Sequence, residues 1–177
     1  MPTAHVFIAT SLDGFIARVD GDIDWLVQRD DLTEDHGYAS FIADKDMIVM
    51  GRGSYEKATT FGEWPYELPV LVLSEQLADV PVPAALQGKL RFSNLTPKEA
   101  MAALGGQNIR RVYVDGGRLV QSFLREGLIS DLVITRVPVL IGNGIPLFGA
   151  LERDIALELV SSRSYPSGLV QSSYRIA

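Results

Sequence analysis

Asp46-Met47-Ile48-Val49-Met50-Gly51-Arg52-Gly53-Ser54 is the stretch on which the reading of the whole chain turns. An unbroken apolar run with no polar alternation describes a strand covered on both faces, the habit of parallel sheets flanked by helices. The run stops at two glycines around an arginine, and Ser54 is placed to cap a short helix over residues 55–60. A helix start of this kind gathers backbone N–H groups, a hydroxyl and a guanidinium where partial positive charge favours a phosphate.

The same grammar recurs on either side. Residues 4–9 form a continuous apolar strand that ends in the turn-forming Thr10-Ser11-Leu12-Asp13-Gly14. Residues 19–24 read as loop, 38–44 as a short helix, and 69–73 as a third strand ending at Ser74. Residues 90–92 suit an edge strand. Thr96-Pro97-Lys98-Glu99 carries the signature of a capping box with proline at the first helical position, and Gly105-Gly106 is expected to close that helix. Residues 111–114 form another strand, followed by Asp115-Gly116-Gly117 and a helix over 118–126 with Leu119, Val120, Phe123 and Leu124 on one face. Residues 131–140 predict a long strand, 142–149 a glycine-rich loop, and 157–161 with 169–175 a closing antiparallel pair. The expected fold is an α/β single domain over residues 1–177, its central sheet mostly parallel with antiparallel strands at the carboxyl end.

Composition removes several functions. Sixteen Lys+Arg against 22 Asp+Glu leave a formal charge of −6, with no basic run that would serve a nucleic acid. The absence of cysteine excludes thiolate metal sites and cysteine nucleophiles, and with only His5 and His36 no metal site is expected. His5, inside a strand, reads as a core histidine, while Asp30-Asp31 and Glu34-Asp35 read as a solvated face. No apolar stretch reaches the roughly 20 residues of a spanning helix, and residues 1–8 lack a basic leader region, so a cytoplasmic protein without a membrane partner is expected.

In such sheets ligands gather beyond the carboxyl ends of the strands. Two glycine turns there, Gly51-Arg52-Gly53-Ser54 and Asp115-Gly116-Gly117, with Ser74 after a third strand, point to a dinucleotide. Asp13 is the first candidate proton donor; as an Asp-Gly turn it has an equally good structural reading, in which the carboxylate caps local N–H groups. Asp24 is the second. Trp25 either walls a substrate cleft or packs in the core, and Trp64 and Tyr66 divide between lid and core in the same way. Residues 132–148 offer a surface that could meet a second copy.

Taken in order, Ser11-Leu12-Asp13-Gly14, Asp46 to Arg52, Val114-Asp115-Gly116-Gly117 and Pro138-Val139-Leu140-Ile141-Gly142 resemble the reductase domain of riboflavin biosynthesis, the RibD C-terminal type, which shares its fold with dihydrofolate reductase. The resemblance implies a three-layer α/β/α sandwich, NADPH as hydride donor, a small-molecule substrate and a homodimer. It implies that Gly51, Arg52, Gly53 and Ser54 hold the cofactor phosphates, with Ser74 and Arg52 near the 2′-phosphate. Asp115, Gly116 and Gly117 would lie beside the pyrophosphate and nicotinamide ribose, a glycine pair that includes a cis peptide in dihydrofolate reductases. Ala9, Thr10 and Ser11 would face the carboxamide, Ser11 with Trp25 also bordering the substrate, and Gly142, Asn143 and Gly144 would close over it.

The chain departs from that family in two respects. It has no cysteine for the zinc deaminase that accompanies the reductase in bifunctional enzymes, and no arginine between Arg52 and Arg91 to grip a substrate phosphate. The reading favoured is an NADPH-dependent reductase of a pterin-like or aminopyrimidine substrate. A 5-amino-6-(5-phosphoribosylamino)uracil reductase and a non-catalytic NADPH-binding module are the alternatives.

Overall fold

A computed structural model describes residues 1–29 and 33–177; the Asp30-Asp31 expectation lies outside the described residues. β1 (Thr3–Ser11) is followed by β2 (Phe15–Ala17), the short helices α1 (Asp24–Val27) and α2 (Tyr38–Ile42), and β3 (Met47–Gly51). Next come α3 (Arg52–Ala58), β4 (Val70–Leu73), β5 (Leu90–Ser93), α4 (Pro97–Gly106), β6 (Arg111–Asp115) and α5 (Gly117–Arg125). β7 (Ile129–Val137), β8 (Ile145–Pro146), β9 (Leu157–Ser164) and β10 (Val170–Ile176) complete the chain.

Eight strands form one sheet in the order β5-β4-β3-β6-β1-β7-β10-β9, and β2 pairs with β8 in a separate ribbon. The six strands from β5 to β7 run parallel, while β10 and β9 are antiparallel. The mostly parallel α/β sheet with antiparallel carboxyl-terminal strands is therefore as expected. Alternation along the strands splits the core between the two faces. Val49, Val112 and Val114 pack under α4 and α5 with Met101, Leu104, Val120 and Phe123. On the opposite face Ile48, Met50 and Tyr113 meet Phe41 of α2, Trp64 and Tyr66. Helices thus cover both faces of the parallel part of the sheet, α4 and α5 on one and α2 and α3 on the other.

Local sequence explains most boundaries. Thr96 and Glu99 form the expected capping box at α4, each side chain serving the other's backbone N–H. Gly105 and Gly106 are the last two residues of α4, as expected, and the chain reverses at Asn108, whose φ of 62° is one an asparagine tolerates. α3 begins at Arg52, before Ser54, with Gly51 at its cap and no side-chain cap, so the expected serine cap is not formed. β8 lies inside the stretch 142–149 expected to be loop, β2 lies between the 10–14 turn and the 19–24 loop, and α1 begins at Asp24, the last residue of that loop. Of residues 132–148, offered from sequence as a surface for a second copy, 132–137 belong to β7, which lies between β1 and β10. The free edge on that side is β9, all of whose eight residues are exposed.

Candidate functional site

β1, β3, β4 and β6 run parallel, so their carboxyl ends share one edge of the sheet. There the two glycine turns meet. A Cβ on Gly116, whose φ is 100°, would stand 2.7 Å from Ser54 Oγ and 3.9 Å from Gly51 N. A Cβ on Gly117 would stand 2.7 Å from the Pro146 carbonyl oxygen of β8 and 3.0 Å from Ile16 of β2, so the ribbon lies directly against the start of α5. Gly144 presses on the Ala17 carbonyl, which seats the loop carrying Gly142 and Asn143 on the same ribbon. Among the described residues every peptide bond is trans, Gly116–Gly117 included.

Gly53 is exposed, and a Cβ there would meet nothing within 4 Å, so backbone is accessible where α3 and α5 begin side by side. Arg52 extends from the first turn of α3, paired at 3.1 Å with Glu56 and about half exposed. Ser74 donates its backbone N–H to Ser93 and extends the pairing of β4 with β5. Ala9 is half-buried on the face that carries Phe7, whereas Thr10 is buried on the other. These residues fit an extended dinucleotide, offering open backbone with the exposed guanidinium of Arg52 at the end of the sheet.

Several residues chosen from sequence have other partners. Ser11 is fully buried; its Oγ donates to Asp13 at 2.6 Å and accepts from Phe15 N, which leaves it no direct reach to a substrate. Asp13 also accepts from Ile141 N and Gly142 N at 3.2 and 2.8 Å. The Ser11 hydroxyl, then these two amides, hold the Asp13 carboxyl below its ordinary pKa, so it ties β1 to the 141–142 turn as an anion and is a poor proton donor. Asp24 is likewise lowered, first by its hydrogen bond from Arg18 Nε at 2.7 Å. Trp25 is only 3% exposed and packs with Val137, Tyr165 and Leu169, which makes it core and not cleft wall; its Nε1 has no partner among the described residues. Asn143, with Arg18, Val19 and Asp20, lines an open cavity of about 350 Å³.

The carboxyl with the opposite character is Asp115, read from sequence as part of the cofactor turn. Burial pushes its pKa up, against opposing hydrogen bonds from the Ser54 hydroxyl, the Tyr113 hydroxyl and Gly116 N. Tyr113 donates to Asp115 Oδ1 at 3.3 Å and to the Phe7 carbonyl at 3.0 Å. Tyr38 and Tyr66 stand close enough for the Asp115 charge to add to burial in raising their own pKa values. Ring contacts of 5.6 Å between Phe7 and Tyr38, and 5.3 Å between Phe41 and Tyr113, complete the surroundings. Asp115 thus keeps its proton to higher pH than an ordinary aspartic acid. Period-two alternation does put Tyr113 and Asp115 on one face, but no local pattern announces Tyr38, 75 residues earlier by subtraction (113 − 38).

The profile of the RibD C-terminal domain family matches residues 2–171. The uncharacterized protein YwjB of Bacillus subtilis is 32% identical over 162 residues, which cover 90% of each chain. A Shewanella protein of known structure, provisionally assigned to riboflavin biosynthesis, is 36% identical, with a TM-score of 0.92 and 99% of each chain covered. The Thermotoga maritima diaminohydroxyphosphoribosylaminopyrimidine deaminase/5-amino-6-(5-phosphoribosylamino)uracil reductase is similar in fold, with a TM-score of 0.77 at 14% identity, and this chain covers 57% of it. No described helix is long and apolar enough to cross a membrane. With the family profile spanning nearly every residue, this chain is a member of the RibD C-terminal domain family, a reductase-type domain.

Proposed function

We propose that the protein is an NADPH-dependent reductase of a small planar heterocycle, pterin-like or aminopyrimidine in kind. The observation that carries this reading is Asp115, a carboxyl whose burial raises its pKa above that of an ordinary aspartic acid, at the carboxyl edge of the sheet beside two glycine turns with open backbone. Gly51 to Ser54 with Gly116 and Gly117 would hold the dinucleotide phosphates, and Arg52 with Ser74 the 2′-phosphate. When bound, NADPH supplies hydride. Asp115 supplies the proton that the accepting C=N group takes up, and Tyr113 and Ser54 keep its carboxyl oriented. Hydrophobic cover by Phe7 and Phe41 limits water around the proton until it is transferred.

The test is a fluorescence titration of the purified chain with NADPH, then NADPH oxidation across pterins, aminopyrimidines and aldehydes. Failure to bind NADPH refutes the reading; tight binding without oxidation of any compound favours a non-catalytic nucleotide-binding module. A 5-amino-6-(5-phosphoribosylamino)uracil reductase is the second reading, favoured by membership of the family. It requires turnover of that phosphorylated substrate, and the lack of arginine between Arg52 and Arg91 speaks against it.

The one domain acts in the cytoplasm in this proposal, without nucleic acid, as a homodimer. β9 is the proposed surface for the second copy. It ends the sheet with Leu157, Leu159 and Val160 all exposed, and both of its faces lack a covering layer. An irregularity in its pairing with β10 near Ser173 and Tyr174 breaks the regular edge, which favours packing by its apolar face over strand-to-strand pairing.

A further inference from the structure

Glycine follows an aspartate or asparagine at four points: Asp13-Gly14, Asp20-Gly21, Asp115-Gly116 and Asn143-Gly144. Such pairs are chemically labile, because a glycine has no Cβ to shield its nitrogen from the preceding side-chain carbonyl. Three of the four nitrogens are held in place. Gly14 N donates to the Ser11 carbonyl at 3.0 Å, Gly21 N to the Arg18 carbonyl at 2.9 Å, and Gly116 N to the Asp115 carboxyl. At the fourth pair, among the described residues, neither the Gly144 N–H nor the Asn143 carboxamide takes part in a hydrogen bond. Asn143 is exposed at the lip of the cavity it shares with Arg18, Val19 and Asp20. We propose that Asn143 is a modification site, at which the chain deamidates itself through a succinimide with Gly144 and leaves aspartate or isoaspartate beside Arg18. The proposal stands independently of the reductase reading.

The fold itself requires the glycine. A Cβ at residue 144 would overlap the Ala17 carbonyl of β2 and stand 3.2 Å from both Ile141 Cδ1 and Phe15 Cβ, so no shielding side chain fits there. In the reaction the Gly144 nitrogen attacks Asn143 Cγ and gives up its proton to water. The new N–C bond closes the succinimide, and ammonia leaves. Water then adds to one of the two ring carbonyls and the ring opens, at Cγ to aspartate or at the main-chain carbon to isoaspartate. Either product turns a neutral amide into a carboxylate. Arg18 holds Asp24 through Nε and one terminal nitrogen, and among the described residues its other terminal nitrogen is uncommitted, which leaves a donor for the new anion. Isoaspartate also adds one carbon to the main chain next to a tightly seated glycine, so it should loosen β8 from β2. The other two asparagines are protected: Asn94 precedes Leu95, whose N donates to Ser93 Oγ at 3.2 Å, and Asn108 precedes Ile109, whose N donates to the Leu104 carbonyl at 3.2 Å.

The test is peptide mass spectrometry on the full chain, aged in neutral and in mildly alkaline buffer at physiological temperature. The peptide carrying residue 143 should gain about 1 Da as the amide becomes a carboxyl. Enzymatic methyl labelling should find isoaspartate at 143, the signature of the succinimide, since direct hydrolysis of the amide yields aspartate alone. Conversion at 143 should run at least about tenfold faster than at Asn94 or Asn108 in the folded chain. Asn143→Gln, whose longer side chain closes a ring poorly, should stay unmodified, with thermal melts establishing that it is folded. The chain in denaturant gives the unrestrained rate, and the folded chain should stay within about tenfold of it. A folded rate further below that reference, equal conversion at all three asparagines, or aspartate without isoaspartate overturns the proposal.

Discussion

Asp115 and Asp13 are both carboxyls at strand ends, and their surroundings send them in opposite directions. For Asp115, the folded pKa lies above the unfolded value, so the native state binds more protons between the two, and stability falls as pH rises through that window. Asp115→Asn cannot ionise, and thermal melts across this range should show a shallower decline than the parent; parallel declines would contradict the raised value. Asp13 is lowered, so its contribution is present above the ordinary aspartate pKa and is lost as pH falls through the folded value. Arg52→Ala should weaken NADPH about tenfold or more and NADH little, because a charged hydrogen bond to the 2′-phosphate is worth about 1.5–3 kcal/mol; equal losses would remove Arg52 from that role. Gly117→Ala drives a methyl against the Pro146 carbonyl and should cost about 1–3 kcal/mol by denaturant titration. Asp115 could be found from sequence as the residue that ends a buried strand before a glycine pair. Its raised pKa could not, since it comes from burial, which only the assembled fold supplies.

Elements whose ends are set by local chemistry were readable in advance. α4 is the clearest, since Thr96, Pro97 and Glu99 specify its start within four residues. Thr96→Ala should lower stability by about 1 kcal/mol, seen as a shifted denaturation midpoint with unchanged slope; no shift would mean that the cap is redundant. The β2 and β8 ribbon escaped notice because each strand is three residues or shorter and gains its identity from a partner over a hundred positions away. Ser54 misled for a related reason: serine just after a glycine turn suits a helix cap, but here its hydroxyl serves Asp115 across the site. Trp25 was equally ambiguous, and the packing of Val137, Tyr165 and Leu169 around it, from distant β7 and the 165–169 turn, decides for core.

At the scale of the molecule the alternation of apolar strands and helices was enough to forecast the parallel sheet and its antiparallel margin, whereas the exposed strand at that margin was not distinguished from its neighbours. Leu159→Glu should convert a dimer to a monomer in light scattering while leaving the melting temperature of the protomer close to the parent's; a monomeric parent, or a variant that stays dimeric, rules out β9 as the interface. The strand order carries a consequence for how the protein is made. β1 closes its two flanks only with β6 and β7, and β3 needs β6 on one side, so the middle of the sheet joins residues more than a hundred positions apart. A nascent chain has both edges of its first strand bare until Arg111 has left the ribosome, and contact order this high puts folding toward the slow end of the range for its size. Translation pausing before that point would lengthen the aggregation-prone interval, which makes the linker after α4 the place where synthesis rate governs yield.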